Sequence, residues 1–101
     1  MNRVFKALGD PTRRRILQLL REREMTAGEI AGRFDLAKPT MSGHFALLRD
    51  ADLIAADKAG TTITYRLNLS VLEDALLGFA EGFGLGAARR ATLAPVTEED
   101  A

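Results

Sequence analysis

Apolar positions recur at helical spacing through most of this chain and alternate in only one stretch. Val4, Phe5 and Leu8 mark a first short helical stripe, which Gly9 ends. Asp10-Pro11 then reads as an N-cap followed by proline in the first helical position, where its missing N–H costs nothing. Ile16, Leu17, Leu19 and Leu20 give this second helix a buried face over Pro11 to Glu22. Arg13, Arg14 and Arg15 sit in its first turns, the wrong end for the helix dipole, which hints at another use for at least one of them. A solvated face, a dimer salt bridge and a phosphate contact are all open to the run.

Met25-Thr26-Ala27-Gly28-Glu29-Ile30 predicts a third helix with an explicit start. Thr26 can cap it, Glu29 can close a capping box, and Met25 can staple to Ile30. This helix is expected over Ala27 to Phe34, with Ile30, Ala31 and Phe34 inward. Asp35-Leu36-Ala37 leaves only a tight turn before a fourth helix, Lys38 to Ala51, opens with Pro39 in its first turn. Two helices so joined make a helix-turn-helix. At about 100° per residue, Met41, Phe45 and Leu48 share one face of the fourth helix. Pro39, Gly43, Ala46 and Asp50 fall opposite, a small face that another surface can approach closely, flanked by Thr40 and Ser42.

The period then changes. Ile63, Tyr65 and Leu67 alternate with Thr62, Thr64 and Arg66, as a half-buried strand requires, and Ala59-Gly60-Thr61 separates this run from Ile54–Lys58. A β-hairpin therefore follows the fourth helix. Ser70 with Glu73 reads as a second capping box, and the last helix carries Leu72, Leu76, Phe79 and Phe83. Gly78, Gly82, Gly84 and Gly86 weaken it in turn, so order is expected to fade past Leu85. Residues 1–86 form the expected domain, and residues 87–101 an acidic tail. The fold class is mainly α with a small β-hairpin: a winged helix-turn-helix of about five helices and a two-stranded wing.

Composition narrows the function classes. A chain of 101 residues holds one core. No apolar run approaches the ~18 residues of a membrane span, and the N-terminus has no apolar signal segment, so a soluble cytoplasmic protein without membrane insertion is expected. There is no cysteine and only one histidine, His44. Disulfides, thiol catalysis and cysteine-type zinc sites are thereby excluded. With no phosphate-cradling loop and no carboxylate pair facing a pocket either, neither an enzyme nor a cofactor is expected. Net charge is zero, but residues 1–66 carry 12 Lys/Arg against 8 Asp/Glu, and residues 67–101 carry 2 against 6. A basic front and an acidic end suit a nucleic-acid face with a separate non-binding end.

Residues 3–77 resemble the ArsR-type winged-helix transcriptional repressors, in particular the SdpR-like autorepressor branch. The resemblance is carried by Phe5-Lys6-Ala7-Leu8-Gly9-Asp10-Pro11-Thr12-Arg13, by Ile16-Leu17-Gln18-Leu19-Leu20 and by Thr26-Ala27-Gly28-Glu29-Ile30-Ala31. Lys38-Pro39-Thr40-Met41-Ser42-Gly43-His44-Phe45, Leu47-Leu48-Arg49, Leu53-Ile54 and Tyr65-Arg66-Leu67 complete it. It implies a homodimer that represses by binding double-stranded DNA at an inverted-repeat operator, its own promoter included. A protein anti-repressor or an unnamed ligand would then relieve repression.

In that mechanism the fourth helix enters the major groove. Lys38 would meet a guanine edge or a phosphate, Thr40 and Ser42 bases or phosphates, and Pro39 and Gly43 would give apolar contact or room. The hairpin would reach the backbone or minor groove through Lys58, Gly60, Thr61 and Arg66. Two roles are open to His44, a packed or capping residue and a DNA contact. Two departures from the pattern matter. Ala37 stands where relatives often have a capping serine, and Gly43 where many have a DNA-reading histidine. The implied dimer would bring Val4, Phe5 and Leu8 against Leu72, Leu76, Phe79 and Phe83 across a two-fold axis. Metal sensing is disfavoured, because neither a cysteine site nor a histidine site can be built. The rival reading is a winged helix turned protein-interaction module that has lost DNA binding.

Overall fold

The computed structural model describes residues 2–85. The expected tail at 87–101 and the domain boundary before it lie outside the described residues. Five helices and three strands follow in the order α1 (Asn2–Leu8), α2 (Pro11–Glu22), β1 (Met25–Thr26), α3 (Ala27–Ala31), α4 (Lys38–Asp50), β2 (Ile54–Ala59), β3 (Thr62–Leu67) and α5 (Leu69–Gly82). No helix among the described residues is long and apolar enough to cross a membrane.

The helix starts follow the capping chemistry. Asp10 caps α2, its Oδ2 accepting from the Thr12 and Arg13 amides at 2.8 and 3.2 Å, with Pro11 in the first turn. Thr26 and Glu29 close a full capping box on α3. That helix stops at Ala31, three residues before the expected end, because Arg33 and Phe34 turn back to the Ile30 and Ala31 carbonyls in tighter i→i+3 bonds. The second expected capping box is not formed. Helix α5 starts two residues early, with Asn68 rather than Ser70 as N-cap and no side-chain cap. Asn68 is held by other partners: its Nδ2 donates to the Asp52 carbonyl at 2.8 Å and its amide to the Leu53 carbonyl at 2.9 Å.

The hairpin pairs Ile54 with Leu67 through Ala59 with Thr62, leaving Gly60-Thr61 as a two-residue loop. Gly60 has φ +62°, the left-handed value that the first central position of a type II′ turn requires. A third strand joins this wing: Met25 pairs with Tyr65 and Thr26 with Thr64, giving the sheet order β1-β3-β2. Two residues are too few to show alternation, so in the sequence Met25 reads only as a staple.

One apolar core spans all of these elements. Ile16, Ile30, Leu48 and Leu53, from α2, α3, α4 and the approach to β2, are fully buried at its centre. Each contributes about 1.5–3 kcal/mol relative to exposure. Phe45 of α4 stacks on Tyr65 of β3 with ring centroids 4.6 Å apart, which pins the fourth helix to the base of the wing.

Candidate nucleic-acid interface

Helix α4 buries Met41, Phe45 and Leu48 and leaves Lys38, Pro39, Thr40, Ser42, Gly43 and Ala46 exposed. The outward face is low and polar at its edges. A Cβ added at Gly43 would meet nothing within 4 Å, so the chain's own packing does not require glycine there. Ala37 caps α4 in an extended conformation and supplies no side-chain hydrogen bond. Arg49, which the sequence reading did not include, is also exposed and lies three helical turns beyond Lys38 on the same side of the helix. Its spacing from Lys38 and Ser42 is the signal that could have found it.

The wing presents its cations on opposite faces. Lys58 pairs with Ile63 on the face that carries Tyr65 inward, whereas Arg66 lies on the outer face with Asp57 and Thr64. Arg66 Nη1 donates to Asp57 Oδ2 at 2.6 Å, a diagonal cross-strand pair with both side chains largely exposed. Gly60 and Thr61 form the exposed tip.

His44 turns away from the exposed residues of α4. Its side chain is 13% exposed, and Nδ1 lies 3.2 Å from Arg13 Nη1. A guanidinium only donates, so Nδ1 accepts. Of the two roles open to His44, the free chain gives it the packed one. Arg13 also donates from Nε to the Ala7 carbonyl at 2.7 Å and from Nη2 to the Lys6 carbonyl at 3.0 Å, and Arg14 Nη1 donates to the Leu8 carbonyl at 2.6 Å. Both arginines thus neutralise the C-terminal end of α1, where a cation is favoured, and this resolves their misplacement on α2. Asp10 Oδ2 stands 4.0 Å from His44 Nδ1. Burial alone would raise the Asp10 carboxyl, but the Arg13 and Thr12 amides, with the charge of Arg13, outweigh it and hold it below its ordinary value.

Away from this surface, α5 exposes a line of large apolar groups: Leu69, Leu76, Phe79 and Phe83, at 38, 44, 45 and 71%. Leu72 is half-buried on the same line. Phe79 bridges Phe5 and Phe83, with centroids 5.0 Å from each. Leu8, half-buried, lines an open apolar groove with Leu17, Leu67, Leu69, Leu72 and Leu76. Val4 differs from its expected neighbours. At 5% exposure it is already spent on the chain's own core and has little surface left for a second copy. Among the described residues no group of three or more His, Cys, Asp or Glu converges to hold a metal ion.

A family model described as a helix-turn-helix domain matches residues 8–57. The chain is 49% identical over 76 residues to the transcriptional repressor SdpR of Bacillus subtilis, covering 75% of this chain and 84% of that one. It is 34% identical over 74 residues to the arsenical resistance operon repressor of Staphylococcus aureus, covering 73% and 71%. A solved ArsR family transcriptional regulator superposes with a TM-score of 0.77 at 32% identity, covering 85% of this chain and 89% of its own. An ArsR-like regulator from Rhodococcus sp. RHA1 gives 0.71 at 28% identity, covering 98% and 93%. These relatives are transcriptional regulators rather than enzymes, and the chain belongs to their family, the ArsR-type winged helix-turn-helix repressors.

Proposed function

We propose that the chain acts as a homodimeric, sequence-specific repressor, binding an inverted-repeat operator that includes its own promoter and sensing no metal. The exposed face of α4 carries this reading. Lys38, Thr40 and Ser42 offer a cation and two hydroxyls around the low surface of Pro39 and Gly43, on a helix whose other side is locked into the core. Such a face suits the major groove, where Lys38 reads a guanine edge or phosphate and the hydroxyls meet bases or phosphates. The wing adds backbone contacts through Lys58, Gly60 and Thr61, and through Arg66 once it leaves Asp57. His44, packed on Arg13, supports the helix from behind.

The absence of cysteine from the sequence and the placing of the sole histidine in α4 support a repressor that does not respond to thiophilic or borderline metals. Fluorescence anisotropy on the DNA upstream of its own coding region, against a scrambled duplex at several salt concentrations, tests the proposal. Tight binding to the native duplex alone, falling steeply with salt, is the expected result. Equal and weak binding to both duplexes, and to genomic fragments at large, would leave the protein-interaction module instead.

A further inference from the structure

Arg13 lies where three elements meet: the start of α2, the C-terminal end of α1 and the middle of α4. Its guanidinium reaches two α1 carbonyls, Ala7 and Lys6, and the imidazole of His44 on α4 at the same time. Its backbone is fixed as well, because its amide donates to Asp10 Oδ2. We propose that Arg13 is the positioning residue of the DNA interface, setting the rotation of α4 through His44 and coupling it to α1. The inference rests on the reading of α4 as the DNA-facing helix.

The rest of α4 is held by Met41, Phe45 and Leu48, and apolar burial is non-directional. Such contacts, the Phe45–Tyr65 stack among them, seat the helix on the core, and the bond from Arg13 adds a direction on the α1/α2 side. A hydrogen bond from a charged donor to a ring that is 13% exposed is directional, and α4 has no side-chain cap to provide a second one at its N-terminus. Arginine is required because a planar fork can hold three acceptors at once, whereas an ammonium of the same charge lacks that geometry. From α1 the connection continues to Phe5, 5.0 Å from Phe79 on the apolar line of α5. One guanidinium therefore links the helix that faces DNA to the helix next to the proposed two-fold. Base-edge contacts read the sequence and so depend on that placement, whereas phosphate contacts carry no sequence information.

The test uses the full chain and a duplex that the wild-type protein selects from a random-sequence pool, with a scrambled duplex beside it. Arg13→Met is expected to weaken binding to the selected duplex about tenfold and to leave the scrambled duplex within about twofold. The double variant with His44→Leu should bind no more weakly than Arg13→Met alone, since both remove one contact. Equal losses on both duplexes would make Arg13 a phosphate contact and overturn the proposal. So would additive losses, or no loss, which would leave it a cap on α1 only. Arg13→Lys is the second variant, should Arg13→Met not fold. It should lose the same discrimination, and the ¹⁵N resonances of the His44 ring should move as Nδ1 loses its donor. Unchanged resonances with unchanged discrimination would overturn the proposal. A wild-type chain that selects no duplex removes the DNA reading itself, a result distinct from any of these.

Discussion

Gly43 and Asp52 are placed against ordinary backbone preference in opposite senses. Gly43 is exposed in the interior of α4 with open space around it, so the chain bears the cost of a helical glycine that its own packing does not use. Gly43→Ala should raise stability in urea by about 0.5–1 kcal/mol, yet weaken operator binding, because a methyl group then stands on the face that approaches DNA. Denaturation and anisotropy on one preparation check both halves, and a more stable variant with full affinity would show that nothing comes close to this face. Asp52 has φ 59° just past α4. The Asp52 amide bonds back to Arg49 O and the Leu53 amide to Leu48 O, at 2.9 and 3.0 Å, the pattern of a Schellman cap whose left-handed position glycine fills best. Asp52→Gly should therefore stabilise by about 0.5–1 kcal/mol in the same titration.

Asp10 adds a pH dependence at the same scale. Its carboxyl is held below its ordinary value of 3.8 in the folded chain, so the folded state binds the proton less readily than the unfolded state. The stabilisation is complete above the unfolded value and is lost as pH falls through the folded one. Glu29, held down by the Thr26 amide and by Arg23, acts in the same direction. Thermal melts between neutral pH and the acid limb should show wild type losing stability in this range. Asp10→Asn, which keeps a capping side chain, should flatten that limb, and an unaltered limb would place the acid sensitivity elsewhere.

Elements were legible where a local signal sets them. Asp10-Pro11 and the Thr26/Glu29 box mark the starts of α2 and α3 as observed, and the alternation from Thr62 to Leu67 marks β3. What the sequence hid depends on partners distant along the chain. Thr26 belongs both to β1 and to the cap of α3, and its strand exists only because Thr64 lies beside it. Ser70 and Glu73 satisfy the spacing of a capping box, but Asn68 is anchored to the turn after α4 and starts α5 earlier. On α4 the exposed candidates follow from the 3.6-residue period, whereas the capture of His44 by Arg13 crosses 31 positions and left only the misplaced charge on α2 as its trace. The uncapped start of α4 offers an element-scale check. Ala37 is extended and makes no side-chain bond, so Ala37→Ser should add about 1 kcal/mol by bonding the free amides of the first turn. An unchanged urea midpoint would show that the start of α4 is fixed by the core alone.

At the scale of the whole molecule, a single copy leaves α5 half-used. Ala75 is buried against the core, while Leu69, Leu76, Phe79 and Phe83 form an apolar line that stays largely exposed although Phe5 packs on Phe79. Phe83 is the most exposed of them and, among the described residues, makes its aromatic contact only with Phe79, so charging it should spare the fold. Under the homodimer proposal, wild type sediments at twice the chain mass and Phe83→Glu shifts toward the single chain. Two linked α4 helices gain about 10²–10⁴ in avidity over one. The variant should therefore lose affinity on that order for an inverted repeat and keep its affinity for an isolated half-site. Circular dichroism should stay unchanged, which separates loss of pairing from loss of structure. If wild type sediments as one chain at concentrations where it fills an inverted repeat, α5 is not the two-fold surface.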